Sequence, residues 1–148
     1  MNQRKYRFNR KDGTIYRDEG NNKLTKVDNE MRIIILEASE PIWSKPFKHL
    51  KAQHWVNLTF IDFHGNYCHG MLNDGTTNAL QSWLEYRKTF ASKGLELLEV
   101  ITTIGFEQTD SEIKWFDYKF SGVAGKPGLG DRMRAMLPEL QNNSTKVK

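Results

Sequence analysis

The sequence predicts a mainly β domain with one central helix, ordered β-β-β-α-β-β, between an N-terminal hairpin arm and a short C-terminal helix. Three observations carry that expectation. Met31 to Glu37 contains three consecutive β-branched residues, Ile33-Ile34-Ile35, which fit a pleated surface better than a helix. Gln53 to Phe63 alternates, with Val56, Leu58 and Phe60 on one row and Trp55, Asn57, Thr59, Ile61 and Phe63 on the other, the period of a strand. Ala79, Leu80, Trp83, Leu84, Tyr86, Arg87 and Phe90 recur at three-to-four spacing, the period of an amphipathic helix. At 148 residues, 38% hydrophobic and 27% charged, the chain suits one domain.

Taken in order, residues 5–17 read as a hairpin. Tyr6 and Phe8 alternate with Arg7 and Asn9, Asp12-Gly13 supplies the turn, and Thr14-Ile15-Tyr16 returns. An isolated hairpin is marginal in water, so this one must dock on the body or order on a partner. Residues 18–29 read as a polar linker. The apolar run of 31–37 implies a first strand buried on both faces. Pro41 and Pro46 make 41–51 irregular. Residues 53–63 form the second strand, His64-Gly65-Asn66 turns, and Tyr67 to Leu72 returns as the third. Residues 73–77 offer helix caps, and Lys93-Gly94 closes the helix. Leu95 to Phe106 is the fourth strand, 108–112 a turn and Ile113 to Val123 the fifth. A Gly/Pro-rich break precedes a helix over 131–137 that Pro138 stops, and 142–148 reads as a disordered tail. The expected organisation is an arm and linker over 1–29, a body over 30–125, and a link, basic helix and tail over 126–148.

Charge follows the same division. Lys and Arg number 22 against 18 Asp and Glu, a formal +4. Residues 1–29 carry +4, residues 30–125 carry −3 and residues 126–148 carry +3. Basic arms around a slightly acidic body are a common way to meet nucleic acid or an acidic partner. No window approaches the ~18 apolar residues of a membrane span, and no apolar leader follows the first residues. Cys68 stands alone, which excludes an intramolecular disulfide and fits a reducing compartment. The expected location is cytoplasmic, at the nucleoid if DNA is the partner.

Three meandering strands, a helix and two more strands, with an irregular loop between the first and second, resemble the oligonucleotide/oligosaccharide-binding (OB) fold. The resemblance covers about residues 30–125 and rests on element order, since that fold has no diagnostic motif. It implies a five-stranded barrel that binds ligand on the faces of strands two and three and on the loops joining strands 1–2 and 4–5. Here those are the 53–72 hairpin, residues 40–52 and residues 108–112.

The first loop interleaves Trp43, Phe47 and His49 with Lys45, Lys48 and Lys51. Rings that stack on bases and cations that track phosphates are how single strands are held without sequence preference. Trp55 and Phe63, on the mixed row of strand two, and Tyr67 on strand three would extend that surface. On strand five Phe116, Tyr118 and Phe120 read as core, leaving Trp115 and Lys119 outside. Arg4, Lys5, Arg7 and Arg10 of the arm would add phosphate contacts. Strand aromatics are ordinarily packing residues, so burial is the competing reading for each ring.

Other chemistry is weakly marked. Asp62, His64, Cys68 and His69 sit around one turn, but their spacing matches no zinc pattern and alternation points Cys68 and His69 apart. No Gly-x-Ser-x-Gly elbow is present, and the 125–131 glycine stretch lacks the Gly-Lys-Ser/Thr ending of a phosphate loop. The expectation is a protein with no catalytic residues, metal or cofactor that binds single-stranded nucleic acid, DNA before RNA, in replication, recombination or mobile-element maintenance. The alternative is a protein-interaction module, a homo-oligomer or an accessory subunit of a replication-type partner, docking through its aromatic face and N-terminal arm.

Overall fold

A computed structural model describes residues 3–75, 78–108 and 115–146. The described strands are β1 (Arg4–Asn9), β2 (Thr14–Asp18), β3 (Leu24–Asp28), β4 (Glu30–Ala38), β5 (Ile42–Ser44), β6 (Gln53–Ile61), β7 (Tyr67–Asn73), β8 (Val100–Glu107) and β9 (Asp117–Ala124). Two helices, α1 (Leu80–Ser92) and α2 (Leu129–Lys146), and a 3-10 turn at Leu97–Glu99 complete them. The strands form one sheet in the order β3-β2-β1-β7-β6-β4-β8-β9, with β5 pairing β6 beside the end of β4. All ladders are antiparallel except β1 with β7.

The sheet curls into a half-barrel in which the β1–β2 turn reaches the start of β9. The Phe116 N–H donates to the Arg10 carbonyl (2.7 Å), and Arg10 Nε donates to the Phe116 carbonyl (2.9 Å), tying the β1–β2 turn to the start of β9. Within the curl, Leu80, Trp83, Tyr86 and Phe90 of α1 pack on Ile33, Ile35, Val56, Leu58, Phe60, Val100 and Ile104. The opposite face carries a smaller cluster of Leu36, Ile61, Tyr67, Leu98 and, from α2, Met133. Alternate residues of β4 therefore enter different cores, which is why its apolar run has no polar row.

Mainly β architecture and the central helix match the expectation from the sequence, but the count of elements does not. The expected five strands plus a hairpin become nine described strands, and there are two long helices. Residues 18–29 are a hairpin rather than a linker. Gly20, Asn21 and Asn22 all have positive φ, the left-handed region that Gly and Asn tolerate best, and the turn onto β3 is closed by the Glu19 N–H donating to the Lys23 carbonyl and the Lys23 N–H to the Gly20 carbonyl (both 2.9 Å). β3 is an edge strand exposed on nearly every residue, so it has no apolar row for periodicity to reveal. The hairpin itself is docked, with Tyr6, Phe8 and Ile15 buried in the main core.

Two further differences follow from backbone chemistry. Residues 42–44 form a short strand between Pro41 and Pro46, which flank the ladder without interrupting it. α2 continues through Pro138 to Lys146 rather than ending at 137. Residues 134–136 are exposed, so water can bond the carbonyl that loses its partner to the proline. The expected fourth strand begins at Val100 instead of Leu95, after the 3-10 turn. Residues 109–114 and the start expected for strand five at Ile113 lie outside the described residues. The end of α1 follows expectation. Gly94 has φ +73°, and the Leu95 N–H reaches the Phe90 carbonyl while that of Gly94 reaches Ala91 (both 3.0 Å), a Schellman closure. Its start is held by Asp74, whose Oδ1 accepts from the Leu80 N–H (3.3 Å).

Candidate nucleic-acid interface

β1 organises the basic N-terminal segment by alternation. Its odd residues, Lys5 and Arg7, line a groove of about 720 Å³ on the outer face, between the 47–49 loop and the β2–β3 turn. Its even residues Arg4 and Tyr6 line a second cleft, of about 350 Å³, on the other side. Beyond the strand, Arg10 is buried, its side chain 3% exposed and paired with Asp117 at 3.5 Å. The four arm cations therefore do not form one arm. Arg10 is removed from solvent because closing the half-barrel requires its two contacts with Phe116 and its ion pair.

The outer groove is built by the loop that follows β5. Phe47 lies on Trp55, ring centroids 5.5 Å apart, and the Arg7 guanidinium sits 4.7 Å from the Phe47 centroid. Arg7 also donates Nε and one Nη to Asp18 Oδ2, at 3.2 and 3.0 Å. Asp18 is held below the usual carboxylate range first by the Gly20 N–H and then by Arg7. His49 packs at 5.9 Å from Phe47 and reaches the groove, opposite Asn21 and Asn22. Lys45, Lys48 and Lys51 are exposed, and none makes an ion pair among the described residues. At the mouth of this loop Trp43 is 65% exposed, its ring edge-on to His54 at 5.1 Å.

The expected stacking row on strand two is interrupted. Trp55 is only 5% exposed, because Phe47 covers it, and its indole N–H has no hydrogen-bond partner among the described residues. Ile61 is buried with Tyr67 in the smaller core, and burial raises the Tyr67 phenol above its ordinary range. Trp55 and Tyr67 are thus packing residues rather than an open platform. Phe63 is 76% exposed, but lies at the opposite end of β6 from His54, roughly 30 Å away at strand rise. Trp115 is 44% exposed and belongs to the Trp43 end. Arg10 sits 5.9 Å from its ring and against Gly75, whose N–H donates to Gln53 Oε1 (2.8 Å), and Gln53 pairs with Ser44. Lys119 is exposed on β9.

The 62–69 turn is organised by Asp62. Its Oδ1 accepts from the His64 and Asn66 N–H groups (both 2.9 Å), and its Oδ2 accepts from the Tyr6 hydroxyl (2.9 Å) and pairs with Arg4 (3.5 Å). Burial by itself raises this carboxyl, but the donors from Asn66, Tyr6 and His64 overcome it and hold Asp62 below the ordinary range. Burial also pushes the Tyr6 phenol up to about 12 and the Cys68 thiol well above its usual range. No group of three or more His, Cys, Asp or Glu placed to hold a metal occurs among the described residues. No described helix is long and apolar enough to cross a membrane.

Sequence reasoning passed over Arg17, Arg32 and His54. The available signal was that each is a polar residue within a β-branched or aromatic strand, a position that faces outward or into a cleft.

The molecule is thus a mainly β domain whose single curled sheet carries a helix on each face, with exposed aromatic and basic side chains gathered at two separate places. No family model, curated protein or solved structure matches the chain.

Proposed function

We propose that this protein binds single-stranded nucleic acid, DNA being the first candidate, without catalysis, along the outer groove from Trp43 to Lys5. The observation that carries the reading is the loop 43–51. It presents one ring that is 65% exposed and three exposed lysines with no ion pair among the described residues, beside a groove whose far wall holds Lys5 and Arg7. Trp43 stacks a base, the lysines follow the phosphates, and His49 and Phe47 line the way to Arg7. The curled sheet, with residues 39–52 leading from β4 through β5 to β6, is compatible with binding in the manner of an OB barrel's first loop. Participation in replication, recombination or mobile-element maintenance belongs to the same proposal.

The test is tryptophan fluorescence of the full chain titrated with a labelled single-stranded oligonucleotide at two salt concentrations, with duplex as control. Trp55 and Trp83 are buried, so quenching reports Trp43 and Trp115. Salt-sensitive quenching that prefers single strands and falls in Trp43→Ala to what Trp115 alone reports supports the reading, and its absence at low salt overturns it. A second reading is favoured by the edge strand β3, where Leu24 and Val27 are 44% and 42% exposed. A protein partner adding a strand there would leave the nucleic-acid titration flat.

A further inference from the structure

The cleft on the inner side of β1 is separate from the outer groove and has its own chemistry. At about 350 Å³ it falls within the ~300–1,000 Å³ of small-molecule sites. Three arginines reach it, but they are not equivalent. Arg4 is paired with Asp62 at 3.5 Å and Arg17 with Glu19 at 2.6 Å. Arg32 makes no ion pair among the described residues and lies 5.6 Å from the centroid of Phe63. A guanidinium over a ring keeps its N–H edge free for an anion. Phe63 is 76% exposed and meets His64 only edge-on at 6.1 Å, so a ring face is open beside a free cation. The Asp62 carboxylate is saturated by its donors, whereas Asp28 and Glu30, which also line the cleft, form no ion pair among the described residues, Asp28 Oδ1 accepting only from the Asn29 N–H (2.7 Å).

From this juxtaposition we infer that the Phe63–Arg32 cleft binds a nucleoside phosphate whose base carries an exocyclic amino group. The base stacks on Phe63, Arg32 receives the phosphate, and the Asp28 and Glu30 carboxylates accept from the amino group, as carboxylates do from the cytosine amine. The same chemistry is offered by a free nucleotide and by the phosphorylated end of a strand.

The test is calorimetric titration of the full chain with dCMP, deoxycytidine and dTMP. A companion titration compares oligo-dC bearing a 5′-phosphate with its 5′-hydroxyl form, on the Trp43→Ala background to remove the outer groove's contribution. dCMP is expected to bind about tenfold more tightly than deoxycytidine or dTMP, and Arg32→Gln and Phe63→Leu are each expected to weaken it by about tenfold without moving the urea midpoint. If only dCMP responds, the ligand is a free nucleotide. If the 5′-phosphate also strengthens oligonucleotide binding, it is a strand terminus. Equal, weak binding of dCMP and deoxycytidine with no end effect overturns the inference. That result leaves the outer groove intact, because its binding is read separately with hydroxyl-ended oligonucleotide and native Trp43.

Discussion

The two grooves flanking β1 share a strand and differ in how their charge is used. On the inner side, Asp62 is met by Arg4, Tyr6 and two backbone N–H groups, and beyond the strand Arg10 is met by Phe116 and Asp117. Those charges are committed to closing the half-barrel and fixing the 62–66 turn. On the outer side, Lys45, Lys48 and Lys51 are exposed and make no ion pair among the described residues. The difference teaches that cations counted together in the sequence are divided by strand alternation and closure into structural ones and available ones, with Arg32 of the inner cleft among the available. Only the available ones can gain from a ligand, since a buried cation's hydrogen bonds are already made.

The division can be broken by removing members of each class. Arg10→Ala removes the ion pair to Asp117 and the Nε donor to the Phe116 carbonyl, and is expected to cost about 3–4 kcal/mol in urea unfolding. A cost below about 1 kcal/mol would show that the half-barrel closes without it. Asp62→Asn removes a carboxylate whose pKa is depressed in the fold. Its contribution is present above the unfolded carboxyl pKa of about 3.9 and lost as pH falls through the lower folded value. The wild-type advantage in urea midpoint should therefore hold from neutral pH down to about 5 and shrink below about 4. A constant difference at all pH would assign the effect to shape rather than charge.

The available class should act on binding alone. Trp43→Ala is expected to weaken single-strand binding by about 1–3 kcal/mol, the value of one stacked base, with the unfolding midpoint unchanged. Replacing Lys45, Lys48 and Lys51 together by Gln should flatten the slope of log K against log salt by about 2, at roughly 0.7 per lost phosphate contact on a single strand. The smallest effect is expected at Lys119, which lies on β9 away from the loop. Lys119→Ala should change affinity by less than about 0.5 kcal/mol, and a larger loss would extend the path toward Trp115.

Legibility tracked the source of each residue's neighbours. α1 was readable because Leu80, Trp83, Tyr86 and Phe90 bury one stripe of a helix and Gly94 supplies its left-handed stop. β3 was not, because an edge strand borrows its order from the β2 ladder and carries no buried row. Within the candidate site, Trp43 and the loop lysines are exposed, as side chains on a proline-flanked loop ordinarily are. Trp55 and Tyr67 are buried, since their cover comes from elsewhere in the chain.

By itself the sequence determined the mainly β character, the central helix and the turns at Asp12-Gly13 and His64-Gly65-Asn66, all of which depend on residues within a few positions of one another. Which row of β6 stayed open was decided only by the tertiary structure. Val56, Leu58 and Phe60 are covered by α1, Trp55 by Phe47, and Ile61 sits in one cluster with Met133 of α2. The period of a strand says that its two faces differ. It does not say what will pack on either, because the covering groups arrive from distant parts of the chain.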